Sequence, residues 1–263
     1  MNKFLISPRS ILFRIACLLT LLVSGSFGFS AEVKPSVKPA IAVPSWKVPS
    51  HAWLLKRIPP PPAPNSPAGK ADLEKVIRLQ AAATPKQIAL AQWDYKLNVF
   101  TYSEVLGKNF TAKRFPKTAA FFQGLNNLVL VENNYMKNHF KRPHPFELDP
   151  VHVKRIVIAP PGYSYPSYHS ARCVVFENVL ATLDPVHRKD FELVSEQVEI
   201  DRVLGGEHFP SDLEAGKKLG GLIYAALLKD KNFLAAVKEL KAAEWTPPPA
   251  GRKNIDILVP KMP

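Results

Sequence analysis

The chain has 263 residues, of which 46% are apolar and 22% are charged, a composition typical of a folded protein rather than a disordered one. Its formal net charge of +13 suits an anionic partner such as nucleic acid, an anionic membrane or a phosphorylated molecule. No run of Lys and Arg interleaved with aromatic residues occurs, so no nucleic acid partner is expected. A basic surface without any such partner is the alternative.

Residues 1–30 have the pattern of a secretory signal peptide. Basic residues precede an apolar core at 15–23, and the small residues Gly28 and Ser30 precede a cleavage point near Ser30. The core is short for a membrane-spanning helix, although an uncleaved anchor is the alternative. We therefore expect a periplasmic or secreted protein. Cys173 would then be its only cysteine, which excludes an internal disulfide.

Beyond the signal peptide, residues 31–69 form a Pro-rich arm, residues 70–245 a helical domain, and residues 246–263 a Pro-rich tail. No run in these parts is long and apolar enough for a transmembrane span, so the mature chain is expected to be soluble. Apolar periodicity and capping residues predict the helices, which cover residues 70–83, 85–95, 116–140, 165–183, 185–198, 210–228 and 231–243. No strand pattern or repeat is evident. The fold class is therefore all-α, a compact helical bundle with a phosphate site between helix ends.

A histidine and a carboxylate stand four residues apart at the start of the helix predicted over 210–228. Pro210 suits the first helical position, so Asp212 occupies the third, from which an acidic side chain reaches back as in a capping box. This places the carboxylate near His208. A carboxylate that holds one imidazole nitrogen leaves the other oriented and basic. Arg202, just upstream, could supply a planar set of donors to an oxyanion. A helix cap with an incidental histidine is the alternative.

Two further clusters lie at predicted helix ends. In Pro166-Ser-Tyr-His169 the helix start offers free N–H groups, and the Ser167 hydroxyl adds a donor, so this end can bind phosphate. His169 lies at the same position and could donate a proton to a leaving group. Lys137 lies near the end of the helix over 116–140 and is followed by Arg142 and His144.

Together the three clusters resemble the tripartite signature of the type 2 phosphatidic acid phosphatase and vanadium haloperoxidase superfamily. That signature has Lys, six residues and Arg-Pro; then Pro-Ser-Gly-His; then Ser-Arg, five residues, His, three residues and Asp. The same order and separations occur in residues 137–145, 166–169 and 201–212. The segments near Pro59 and Thr84 are similar to the N-terminal part of bacterial class A non-specific acid phosphatases. The resemblance covers roughly residues 50–245.

The resemblance implies a phosphoric monoester hydrolase that acts on a small phosphorylated substrate without a metal ion or other cofactor. His208 would be the nucleophile that forms a phosphohistidine, and Asp212 would orient it. His169 would first protonate the leaving group and then activate water. The implied phosphate-binding residues are Lys137, Ser167, Arg202, the backbone N–H of Tyr168, and His144. An acidic optimum is expected, because His169 must be protonated while His208 is not.

The chain departs from the signature at three positions. His144 replaces an arginine and cannot grip two oxygens as a guanidinium does, although Arg142 is a possible substitute. Tyr168 replaces a glycine and brings a ring to the rim of the site. Asp201 replaces a serine and could pair with Arg202. Two alternatives to a phosphatase therefore stay open: a haloperoxidase that depends on vanadate as its cofactor, and a catalytically impaired relative that only binds phosphate.

Overall fold

The computed structural model describes residues 44–94, 96–158, 161–246 and 248–249. The predicted signal peptide, residues 31–43 of the Pro-rich arm and most of the Pro-rich tail lie outside the described residues. Within the described ranges all regular structure is helical and no strand occurs, so the all-α prediction is confirmed. The α-helices are α1 (His51–Leu55), α2 (Pro67–Ala81), α3 (Pro85–Asp94), α4 (Ser103–Leu106), α5 (Pro116–Phe140), α6 (Pro145–Leu148), α7 (Tyr168–Leu183), α8 (Arg188–Leu204), α9 (Pro210–Leu227) and α10 (Lys231–Glu244).

Proline and capping residues in the sequence predicted several of the helix ends correctly. Proline at the first position starts α5 and α9, where its missing N–H has no intrahelical partner to lose. The start of α7 differs from the expectation near residue 165, because Ser167 is extended and caps the helix that begins at Tyr168. Helix α8 runs to Leu204 rather than 198, which places Arg202 in its last turn. The turn after α8 needs Gly206, whose φ of 78° lies in the left-handed region.

Helix α7 is the central element, packed against α5, α8 and α9. Most of its residues are buried, as expected for a helix that is covered on all sides. Its approach to α9 is close because two glycines of α9 face it. A β-carbon at Gly216 would lie 2.4 Å from the carbonyl oxygen of Ser167, and one at Gly220 would lie 2.4 Å from that of Ala171. The start of α7 is thereby held beside the start of α9.

Part of the segment assigned to the Pro-rich arm lies against this bundle. Trp46 packs its ring 5.1 Å from that of Phe121 and 5.2 Å from that of Phe233. The N–H of Lys47 donates to Asp230, and the hydroxyl of Tyr165 donates to the carbonyl of Pro59. Residues 44–66 therefore contribute to the packed structure, through large apolar side chains that the proline content of the segment obscured. No helix within the described part of the chain is long and apolar enough to cross a membrane.

The close approach of α7 and α9 predicts different effects for two adjacent glycines. We expect Gly220→Ala to lower the free energy of unfolding by about 1–3 kcal/mol, because the added methyl group meets the α7 backbone. Gly221→Ala is the matched control, since its β-carbon would meet nothing within 4 Å, and we expect it to be neutral or to stabilise by up to about 1 kcal/mol. Urea unfolding measures both. Equal midpoints for the two variants would contradict the tight contact.

Candidate active site

The three sequence clusters meet at one cavity of about 340 Å³. The end of α5, the loop at 161–163, the start of α7 and the turn between α8 and α9 form its walls. Its lining includes Lys137, His144, Tyr168, His169, Glu207 and His208. Segments that are separated by tens of residues therefore present basic, acidic and imidazole groups to the same space.

The predicted pairing of His208 and Asp212 is present. His208 Nδ1 lies 3.4 Å from Asp212 Oδ2, and the same oxygen accepts the N–H of Phe209 at 2.8 Å, as in a capping box. Both residues are buried. With Nδ1 directed at the carboxylate, Nε2 is the ring nitrogen left for a ligand. Burial lowers the pKa of His208 to about 3, so the ring is neutral and its lone pair is available.

Arg142 lies behind Asp212 rather than in the cavity lining. Its guanidinium donates to Asp212 Oδ1 at 2.6 Å, to Asp72 Oδ2 at 2.8 Å and to the hydroxyl of Ser211 at 2.7 Å. Burial alone would raise the pKa of Asp212, but the hydrogen bond from His208 and the charge of Arg142 outweigh burial and lower that pKa. The possible substitute for the phosphate-binding arginine is thus engaged in holding the carboxylate that orients His208.

Lys137 brings an ammonium group to the cavity from the last turn of α5. Its Nζ donates to the carbonyl of Tyr163 and, at 3.4 Å, to that of Ser164. These carbonyls fix the side chain beside the loop that lines the cavity. Burial lowers the pKa of Lys137 to about 8, so the ammonium is charged in acidic and neutral solution.

His144 stands where the family signature has an arginine. Its Nδ1 is 2.5 Å from the carbonyl oxygen of Glu207, and because a carbonyl only accepts, Nδ1 carries the hydrogen. The ring stacks on Phe146 with centroids 5.3 Å apart. Burial lowers the pKa of His144, which favours the neutral ring and gives the cavity less positive charge than a guanidinium would.

The start of α7 contributes His169 and Tyr168 to the cavity but not the side chain of Ser167. The Ser167 hydroxyl is buried and accepts the N–H of Ser170 at 3.3 Å, so it caps α7. The Tyr168 hydroxyl donates to Asn126 Oδ1 at 2.7 Å, and Arg172 lies 4.6 Å above its ring. The ring that replaces the signature glycine is therefore anchored on α5 and cannot swing freely over the site.

Arg202 is fully buried and does not line the cavity. Its Nη2 donates to the carbonyl of Ala91 at 2.6 Å, and its Nη1 lies 3.6 Å from Glu207 Oε2. Asp201 is also buried and accepts a hydrogen bond from Gln197 at 3.0 Å. Among the residues that line the cavity, Glu207 provides the carboxylate that faces the Arg202 guanidinium.

Glu207 is the site residue that sequence reasoning missed. It is only 3% exposed, lines the cavity, and its Oε1 has no hydrogen-bond partner. Burial raises its pKa. The signal in the sequence was an acidic residue between two glycines and the candidate histidine, where the flanking residues are otherwise apolar. A buried acid at such a position is seldom incidental, because an unpaired carboxylate is costly to bury.

The chain as a whole is similar to known phosphatases. The chain is 27% identical over 197 residues to the non-specific acid phosphatases of Salmonella typhi and Salmonella typhimurium, and each match covers 69% of this chain and 77% of the relative. The resemblance to bacterial non-specific acid phosphatases is confirmed. No family model matches the chain.

Among solved structures, the fold is similar to that of a bacterial vanadium-dependent iodoperoxidase, with a TM-score of 0.50 and 17% identity. That match covers 68% of this chain and 53% of the iodoperoxidase, so the chain spans about half the length of that protein. A transmembrane PAP2-type phosphatidylglycerolphosphate phosphatase from Bacillus subtilis aligns with a TM-score of 0.42 and 20% identity over 66% of this chain and 89% of its own length. The likeness to the iodoperoxidase shows a shared all-α fold.

The contacts of Arg142 predict a structural rather than a substrate-binding role. We expect Arg142→Ala to lower the free energy of unfolding by about 3–5 kcal/mol, because it leaves the buried carboxylates of Asp72 and Asp212 without their partner. Arg78→Ala, which removes an exposed ion pair with Glu74, is the control and should cost about 1 kcal/mol or less. Urea unfolding at pH 7 distinguishes them. If Arg142→Ala unfolds like the control but weakens phosphate binding, the guanidinium serves the substrate instead.

Proposed function

We propose that the chain is a periplasmic or secreted, metal-independent acid phosphatase that hydrolyses phosphate monoesters through a phosphohistidine at His208. The observation that carries this proposal is a neutral, buried imidazole, oriented by Asp212, that faces the same cavity as His169 and Lys137. The similarity to non-specific acid phosphatases supports the class of reaction. The fold shared with an iodoperoxidase does not by itself favour haloperoxidation, since one fold hosts many activities.

In the first step, His208 Nε2 attacks phosphorus and the bond to the ester oxygen breaks. His169 donates a proton to that oxygen, so the leaving group departs as an alcohol. In the second step, His169 takes a proton from water, the resulting hydroxide attacks phosphorus, and the P–N bond breaks to release phosphate. The carboxylate of Asp212 stabilises the positive charge that develops on the His208 ring in both steps.

Charge on the phosphoryl oxygens must be compensated where it accumulates in the transition state. Lys137 supplies an ammonium in the cavity wall. His144, Ser167, the N–H of Tyr168 and Arg202 stay predicted phosphate contacts. Of these, His144 and Tyr168 line the cavity, whereas the side chains of Ser167 and Arg202 lie behind it.

The mechanism predicts distinct effects for the two histidines. With p-nitrophenyl phosphate between pH 4 and 8 and EDTA present, we expect His208→Ala to reduce turnover to background. His169→Ala should lower the steady-state rate by about 10²- to 10⁴-fold, yet release an initial burst of one p-nitrophenol per chain, because this leaving group needs no proton. His152→Ala, at an exposed histidine, is the control and should retain full activity.

The outcomes of this experiment separate the open alternatives. Activity in His208→Ala would rule out the phosphohistidine route. A folded wild-type chain without activity, yet with measurable phosphate binding, would indicate the impaired relative. Activity that requires vanadate, peroxide and halide would indicate a haloperoxidase.

The lowered pKa of Lys137 predicts the alkaline limit of activity. The ammonium is charged below its pKa of about 8 and neutral above it, so kcat/KM should fall as the pH rises through this value. Lys137→Arg keeps its charge at higher pH, so its alkaline limb should move upward even if its maximal rate is lower. The profile of kcat/KM from pH 5 to 10 measures this. An unchanged limb in the variant would assign the limit to another group.

A further inference from the structure

The buried carboxylate of Glu207 is unusual in a pocket for an anion. Its Oε2 faces Arg202 Nη1 at 3.6 Å, while its Oε1 has no hydrogen-bond partner although it is shielded from solvent. A carboxylate at this position repels a phosphoryl group and occupies the guanidinium that would otherwise attract one. The exposed fraction of only 3% means that water has little access to this side chain. A positively charged partner at Oε1 would offset the cost of burying this oxygen without a hydrogen bond.

The imidazole rings of His169 and His208 lie close enough to Glu207 to bind the same positively charged partner. His169, Glu207 and His208 each offer one ligand atom, and these three atoms all lie within 4.8 Å of one another. All three residues are buried. Two imidazole nitrogens and one carboxylate oxygen form a typical donor set for zinc at sites with an open coordination position. The adjoining cavity of about 340 Å³ provides an entry path and room for a further small ligand.

The surroundings of the three residues support an ion. Asp212 holds Nδ1 of His208, and a carboxylate behind a metal-binding histidine raises the basicity of the ring and fixes its orientation. Arg142 is compensated by Asp72 and Asp212, and Arg202 faces Glu207. Compared with the family signature, the replacement of an arginine by His144 also removes positive charge. Lys137 is the group in the cavity wall that opposes a cation.

We propose that His169, Glu207 and His208 bind a divalent transition-metal ion of the zinc class, and that this ion inhibits phosphate hydrolysis. Inhibition follows because coordination occupies the lone pair of His208 that would attack phosphorus, and the nitrogen of His169 that would transfer the proton. The ion is thus an inhibitor and not a cofactor of the metal-independent reaction. The inhibitory role rests on the proposed function, whereas binding of the ion does not.

Calorimetric titration of the EDTA-treated and dialysed chain with ZnCl2 tests the binding. We expect one Zn²⁺ per chain, with affinity reduced at least about tenfold in Glu207→Gln, since even the loss of a supporting residue costs this much at metal sites. Glu207→Gln preserves the shape of the side chain, and an unchanged urea midpoint will show that it is folded. His152→Ala is the matched control, because it removes an exposed histidine that lies 2.9 Å from Asp149 and could bind zinc adventitiously.

Titration with CoCl2 provides a second readout that does not depend on activity. Cobalt held by two imidazoles and a carboxylate gives visible absorption, which should appear with the wild type and His152→Ala and be lost in His208→Ala. In the phosphatase assay, added Zn²⁺ should inhibit, and its inhibition constant should rise in Glu207→Gln when each variant is compared with its own uninhibited rate.

Three outcomes would overturn the proposal: no stoichiometric binding, equal affinity in Glu207→Gln, or loss of binding in His152→Ala. The proposed function is judged separately. A chain that binds Zn²⁺ through these residues but has no phosphatase activity would refute the function and keep the metal site. An active phosphatase that does not bind Zn²⁺ would do the reverse.

Discussion

The buried charge of the Asp212 carboxylate needs an ionic or hydrogen-bond partner at each oxygen, and these partners organise the site. Arg142 compensates one oxygen, while the ring of His208 and the N–H of Phe209 share the other. The carbonyl of the same residue accepts the N–H of Ser167 at 2.9 Å, which ties the start of α9 to the residue before α7. One buried charge therefore fixes the ring that is proposed to attack and helps to position the helix that carries His169. A charge in such a position destabilises a fold unless all of these contacts form together.

Close packing of the helices provides the second constraint. Gly216 and Gly220 allow α9 to approach the backbone of α7, and this contact continues to the helix starts where the site lies. Both histidines are held by segments that are packed on several sides. Such rigidity suits the proposed reaction, in which the attacking ring and the proton donor must keep a fixed position relative to the phosphoryl group.

The balance of charge separates this site from a purely anion-binding one. Two guanidinium groups close to the site face carboxylates, because Arg142 contacts Asp72 and Asp212, and Arg202 lies near Glu207. In the proposed reaction, Lys137 would therefore have a larger share in attracting a phosphoryl group than it would have beside a second arginine. Burial keeps the His208 ring neutral, so the group that is proposed to attack a phosphate ester is also suited to bind a metal ion.

The sequence by itself determined the features that depend on neighbours along the chain. Proline and capping residues predicted where α5 and α9 begin, and the spacing of His208 and Asp212 predicted their contact, because both lie within one turn of a helix start. Tertiary structure alone decided the role of Arg142, whose partner Asp72 is 70 residues away. The burial of Arg202 likewise depends on tertiary structure, because its guanidinium donates to the carbonyl of Ala91 on α3. It also decided the place of Glu207. Whether a charged side chain lines a cavity or lies behind it depends on which distant helices pack around it, and local spacing carries no information about that packing.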